Sequence, residues 1–177
     1  DSSFRLFAIN GFKGVTIDDL MNSCGLTRGA FYAHFKSKAE LYREALEYRA
    51  SGTKLAGLKP KGITNKQWLS LLLDKYLSVE HVKGQRSLSC PLAFLATDIN
   101  LQSKTIKSAY ADVYYGMNKA IMEYACSYTD SDENDILSIT AMMIGAVAIA
   151  RTLQDQEAVE RLLAACRREA GVKLGGI

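Results

Sequence analysis

Along the first fifty residues, apolar positions recur at helical spacing and are interrupted at short intervals by glycine or a hydroxyl residue. Phe4, Phe7 and Ala8 stand at i, i+3 and i+4, one stripe of a helix that ends near Gly11. Ile17, Leu20, Met21 and Cys24 continue at i, i+3, i+4 and i+7 behind Thr16-Ile17-Asp18-Asp19, whose hydroxyl and carboxylate predict a capping box. Gly25 ends that short helix. Thr27 is placed to cap the next one, with Leu26 expected to staple onto Phe31. Ser37-Lys38-Ala39-Glu40 predicts a third box, which opens a longer helix through Leu41, Ala45 and Tyr48.

Past residue 62 the same periodicity continues in longer pieces. Thr64-x-x-Gln67 opens a helix carrying Trp68, Leu71, Leu72, Tyr76 and Val79, and Cys90-Pro91 opens another that runs to about Ile99. A long helix from about Ser103 carries Ile106, Tyr110, Val113, Met117, Ile121, Tyr124 and Tyr128 in register. From Ile136 to Ile149 the chain is apolar on nearly every face, and Val159, Leu162, Leu163, Cys166 and Ala170 give the last helix its core spacing. With only two prolines, Pro60 and Pro91, and few alternating β-branched runs, the expected fold is all-α. The composition shifts between Ser51 and Gly62, so a first domain over 1–50 and a second over 51–177 are expected.

Two short helices joined by a tight turn containing Gly25, bracketed by helices that bury their apolar faces, predict a helix-turn-helix. In such a unit the second helix enters the major groove and offers its N-terminal residues to bases and phosphates. Here that helix begins Thr27-Arg28-Gly29-Ala30. Arg28 brings a guanidinium fork matched to guanine or phosphate, Gly29 admits a close backbone approach, and Tyr32 offers a ring and a hydroxyl. Phe31 and Phe35 are assigned to the core.

The run Phe7-Ala8-x-x-Gly11-Phe12-x-x-Val15-Thr16-Ile17, followed by Cys24-Gly25-Leu26-Thr27-Arg28-Gly29-Ala30-Phe31-Tyr32-Ala33-His34-Phe35-x-Ser37-Lys38-x-x-Leu41, resembles the N-terminal DNA-binding domain of TetR-family transcriptional regulators. The resemblance covers residues 4 to about 48; Cys24 and Ala33 are minor departures from it. It implies a three-helix DNA-binding domain followed by a variable helical domain that dimerises and binds a small effector. It also implies a first helix that is usually longer, often with a basic arm ahead of it. Position by position, it implies that Thr16 and Thr27 cap helices and contact phosphates, that Arg28, Gly29 and Tyr32 face the groove, that His34 reaches the backbone and that Lys38 holds a phosphate.

Composition removes other classes more than it adds. Hydrophobic residues at 48% and charged residues at 23% are the ordinary mix of a folded chain, which excludes disorder and collagen. The longest apolar run, Ala141 to Ala150, falls short of the roughly 18 residues a bilayer span needs, so no transmembrane helix is expected. Asp1-Ser2-Ser3-Phe4-Arg5 lacks the basic-then-apolar layout of a secretory signal, and a cytoplasmic protein is expected. The net charge of +3 is spread evenly, seven basic against six acidic residues falling in the first fifty, and marks no nucleic-acid face. Four cysteines without a CxxC pair and two histidines argue against a structural metal. Ser-elbow, Walker A, dinucleotide and HExxH patterns are absent, so neither enzyme chemistry nor a cofactor is expected.

For the second domain three expectations follow. A helix apolar all round needs partners on two sides, so Ile136, Ile139, Met143 and Val147, with Val159, Leu162, Leu163 and Cys166 of the last helix, are expected at a two-fold dimer contact; the TetR resemblance implies the same pair of helices. Trp68, Leu72, Tyr76, Cys90, Phe94, Tyr110, Tyr114 and Met117 are expected to line an apolar effector pocket dotted with phenols. Cys90, at a helix N-cap and shortly after Lys83 and Arg86, is a candidate for a lowered pKa and a reactive thiolate. The leading reading is a homodimeric, ligand-responsive repressor of a pseudo-palindromic operator. The alternatives are a DNA-binding regulator without an effector, a redox or electrophile sensor working through Cys90, and an enzyme or carrier that borrows the fold.

Overall fold

The structure is a computed structural model and describes residues 2–52, 58–83 and 90–177. Among these residues it is all-helical. The first four helices are α1 Ser2–Asn10, α2 Ile17–Asn22, α3 Arg28–His34 and α4 Lys38–Gly52. After them come α5 Asn65–Tyr76, α6 Val79–Val82, α7 Pro91–Ile99, α8 Lys104–Ala125, α9 Glu133–Ala150 and α10 Gln156–Lys173. The region of the expected domain boundary includes residues 53–57, which lie outside the described residues, as does Arg86.

Helix starts follow the hydroxyl and carboxylate signals. Thr16 with Asp19 and Thr64 with Gln67 form reciprocal capping boxes, and Thr27 caps α3 through a bond from Ala30 N–H. Asp132 and Asp135 build a further box at the start of α9. At α4 the Ser37 Oγ accepts Glu40 N–H at 3.2 Å, but the Glu40 carboxylate turns back to Lys36 N–H at 2.6 Å. Gly11 and Gly25 end the first two segments with φ near +69° and +68°, a conformation that costs any residue with a Cβ.

Several registers differ from the periodic reading. Helix α2 stops at Asn22, so Cys24 lies past its end, in solvent. Tyr48 faces outward; the core side of α4 is Leu41, Tyr42 and Leu46. Leu26 is 51% exposed and makes a poor staple. Val79 does not extend α5, because the chain breaks at Leu77 and restarts on the Ser78 cap of the short α6.

Two cores hold the molecule. The first joins Phe4, Phe7, Val15, Leu20, Phe31, Tyr42 and Leu46 to Leu95, Ile99, Ile106 and Ala109 of α7 and α8. The second gathers apolar faces of α5, α8, α9 and α10, with Trp68, Leu72, Ile121, Ile139, Met143 and Leu163 inside. Helix α9, with a mean hydropathy of 1.4 over 18 residues, is long and apolar enough to match a membrane span by those measures alone, although its unbroken apolar run is shorter. Its acidic capping box and its packing against α7, α8 and α10 are those of a core helix.

Candidate nucleic-acid interface

Helix α3 is amphipathic in a way that leaves one face free. Phe31 is buried and stacks on Phe35 at 5.6 Å, anchoring the inner side. On the outer side Thr27, Arg28, Gly29, Tyr32 and His34 are all exposed, Tyr32 at 56%. A Cβ built on Gly29 would meet only Thr27 Oγ1, at an ordinary 3.7 Å, so packing within the chain does not require glycine there.

Local electrostatics arrange this face before any partner arrives. The Arg28 guanidinium donates to Asp18 Oδ2 at 3.0 Å, with both side chains more than half exposed. The neighbouring Tyr32 hydroxyl, and after it Asp18, hold Arg28 more firmly charged than usual. Thr16 is exposed too, but its hydroxyl bonds Asp19 Oδ2 at 2.6 Å, and this contact holds the Asp19 carboxyl below its ordinary pKa. Lys38 departs from its expected role. Its ammonium donates to Phe12 O and Val15 O at 2.8 Å each and lies 4.3 Å over the Phe12 ring, so it staples the turn between α1 and α2 and does not point free towards a phosphate.

Residues 1–45 match the family model described as bacterial regulatory proteins, tetR family. That segment is a TetR-type N-terminal domain. Among curated relatives, the HTH-type transcriptional regulator YerO of Bacillus subtilis is 41% identical over 75 residues, 37% of this chain and 26% of YerO. The biofilm operon negative transcriptional regulator IcaR of Staphylococcus epidermidis is 34% identical over 47 residues, 27% of this chain and 25% of IcaR. The matched segment thus spans about a quarter of these relatives' length. The fold likeness extends much further. A TetR-family regulator from Cytophaga hutchinsonii superposes with a TM-score of 0.80 at 18% identity, covering 99% of this chain and 90% of that one. Bacillus subtilis FadR, solved with stearoyl-CoA, gives 0.68 at 15% identity over 100% of this chain and 96% of its own.

Behind this TetR-type domain, the expected pocket residues form a packed polar seam. Trp68 and Leu72 are buried in the second core, with Tyr76, Phe94 and Met117 half-buried against it. The Tyr110 hydroxyl donates to Leu92 O at 2.6 Å, and Thr140 Oγ1 donates to the Tyr114 oxygen at 3.3 Å. Tyr76 stacks edge-on with His81 at 4.5 Å. The Trp68 N–H and both amide atoms of Asn118 are buried without a hydrogen-bond partner, and the buried Tyr76 hydroxyl lies against the Cys90 thiol. Asn118 and the buried His81 were not among the expected residues; nothing in their sequence surroundings distinguishes them.

Cys90 is corrected. It is the N-cap of α7, yet no side-chain capping bond forms, and burial pushes its thiol up. The Tyr76 hydroxyl, the Leu92 and Ala93 amides and Arg49 pull the other way without overcoming burial. This is the reverse of an activated thiolate.

The expected dimer residues lie mostly inside the single chain. Ile136, Ile139, Met143, Val147, Val159 and Leu163 are buried by the chain's own helices, which leaves them no surface for a partner. Only Leu162 and Cys166 keep part of theirs. The apolar groups that α9, α10 and the link between them leave outside include Ile149 at 53% exposed, Leu153, and Ala158 and Ala165 beside Leu162.

Proposed function

We propose that the chain is a homodimeric, DNA-binding transcriptional regulator, in the main a repressor, that releases a pseudo-palindromic operator when a small molecule enters the second domain. The observation that carries this reading is the outer face of α3, where Thr27, Arg28, Gly29, Tyr32 and His34 stand exposed on a helix anchored by Phe31. Arg28 would exchange Asp18 for a guanine edge or a phosphate, and Gly29 would let the α3 backbone come close to the duplex. Thr16 and Thr27 would add phosphate contacts at the helix starts, and His34 one to the backbone.

A second copy would place two such helices about 34 to 36 Å apart, one turn of DNA. The exposed apolar residues of α9 and α10 support that copy's position on the outer faces of these helices. The unpartnered Trp68 N–H and Asn118 amide support an effector that is mostly apolar and carries hydrogen-bonding groups. It would enter by parting α5 from α8. The close packing of Trp68 and Leu72 in a continuous core favours a second reading, a DNA-binding regulator without an effector.

Selection of bound fragments from random duplex DNA, repeated in the presence of host metabolites, tests both readings. A retained pseudo-palindrome is expected, released by at least one metabolite. Arg28→Ala should weaken binding to it by about 1 to 3 kcal/mol. Failure to retain any duplex refutes the regulator, and retention insensitive to every metabolite selects the second reading.

A further inference from the structure

We propose that Asp98, carried by α7 in the second domain, is a positioning residue for the DNA-reading domain, setting the turn that leads into α2. This inference rests on the DNA-binding reading above.

One carboxylate reaches two parts of the first domain. Asp98 Oδ1 accepts Phe12 N–H at 3.0 Å, and Oδ2 accepts the Tyr42 hydroxyl at 2.5 Å. Tyr42 is 1% exposed, so its hydroxyl has no water to fall back on, and burial together with this carboxylate pushes its pKa well up. Gln102 Nε2 donates to Asp98 O at 3.2 Å and to Oδ2 at 3.4 Å, holding the acceptor from its own side. The approach is close: a Cβ on Gly11 would meet Asp98 Oδ1 at 3.0 Å, at a residue whose φ of +69° already disfavours a side chain.

The same turn is gripped a second time, by Lys38. Lys38 takes the Phe12 and Val15 carbonyls while Asp98 takes the Phe12 amide, so an acid from one domain and a base from the other fix consecutive peptide groups. Val15 leads directly to Thr16, the cap of α2, and Asp18 on α2 holds Arg28 of α3. Asp98 is thus a polar link between the body of the molecule and the turn ahead of the reading helices, beside the apolar contacts of the first core.

The test uses the full chain, the duplex obtained by selection, and amide hydrogen exchange. In Asp98→Ala, Phe12 N–H loses its acceptor; its exchange should rise roughly tenfold or more while Phe35 N–H, bonded within α3, stays protected, and duplex affinity should fall by a similar factor. Asp98→Asn should restore most of both, because its amide oxygen accepts from Phe12 and its NH2 donates to a turned Tyr42 hydroxyl. A folded Asp98→Ala protein that binds within about twofold of the parent overturns the proposal, as does unchanged Phe12 exchange. Should Asp98→Ala fail to fold, the parent decides: Phe12 N–H exchange as fast as that of an unbonded turn amide overturns the proposal. If the parent binds no duplex, the regulator reading falls by itself, and Phe12 exchange still judges the grip of Asp98.

Discussion

At the scale of single residues, burial decides outcomes that position along the chain leaves open. Cys90 has a helix N-terminus in its favour and loses to desolvation. At neutral pH a maleimide should therefore label the exposed Cys24 and Cys126 first, and Cys90→Ser should leave that fast phase unchanged; a fast phase lost with Cys90 would contradict the assignment. His81 is 2% exposed, with Nδ1 on Tyr76 O and Nε2 accepting Cys90 N–H at 3.2 Å, an arrangement that only the neutral ring with its proton on Nδ1 satisfies. Burial lowers its pKa, and Arg151 and Arg49 lower it further against the opposing bond to Tyr76. The unfolded chain then binds the extra proton more readily, so this contribution to stability is complete above about pH 6.5 and is lost as pH falls from there toward the depressed folded value. The Tm of the parent should drop on acidification below that point, and His81→Gln, which does not titrate, should flatten the slope.

At the scale of elements, side chains that look like ligand contacts also serve as fasteners. Lys38 spends two of its three N–H groups on carbonyls of the preceding turn. Lys38→Met should cost about 1.5 to 3 kcal/mol of stability, the range for hydrogen bonds to a charged group, seen in thermal unfolding. The slope of duplex affinity against salt should stay as it is, since no phosphate contact is lost; a slope smaller by about one would restore Lys38 to the phosphate contacts. Arg167 works similarly, donating to Leu77 O at 2.6 Å just past the end of α5 and lying 3.4 Å from Asp74.

At the scale of the whole molecule, the second core uses the apolar residues of α9 that face inward, and assembly must draw on what is left. If the proposed dimer forms through this face, Ile149→Glu is expected to give a monomer in sedimentation while leaving its helicity intact. Met143→Ala, wholly inside the chain, should instead cost about 2 to 5 kcal/mol of stability. A dimer unaffected by Ile149→Glu would move the contact off this face.

The sequence by itself determined what depends on neighbours a few residues apart. Caps at Thr16, Thr27 and Thr64, the glycine stop at Gly25 and the exposed row of α3 were legible because the groups that bond or align lie within one or two helical turns. Only the tertiary structure decided which half of an apolar helix faces its own chain, since Ile139 and Ile149 read alike until packing buries the first and leaves the second 53% exposed. It also decided the pairs across long separations, Asp98 with Phe12 and Tyr42, 86 and 56 residues away. A carboxylate near the end of a helix carries no mark of the amide it will meet, because that meeting is set by how α7 packs against α1 and α4.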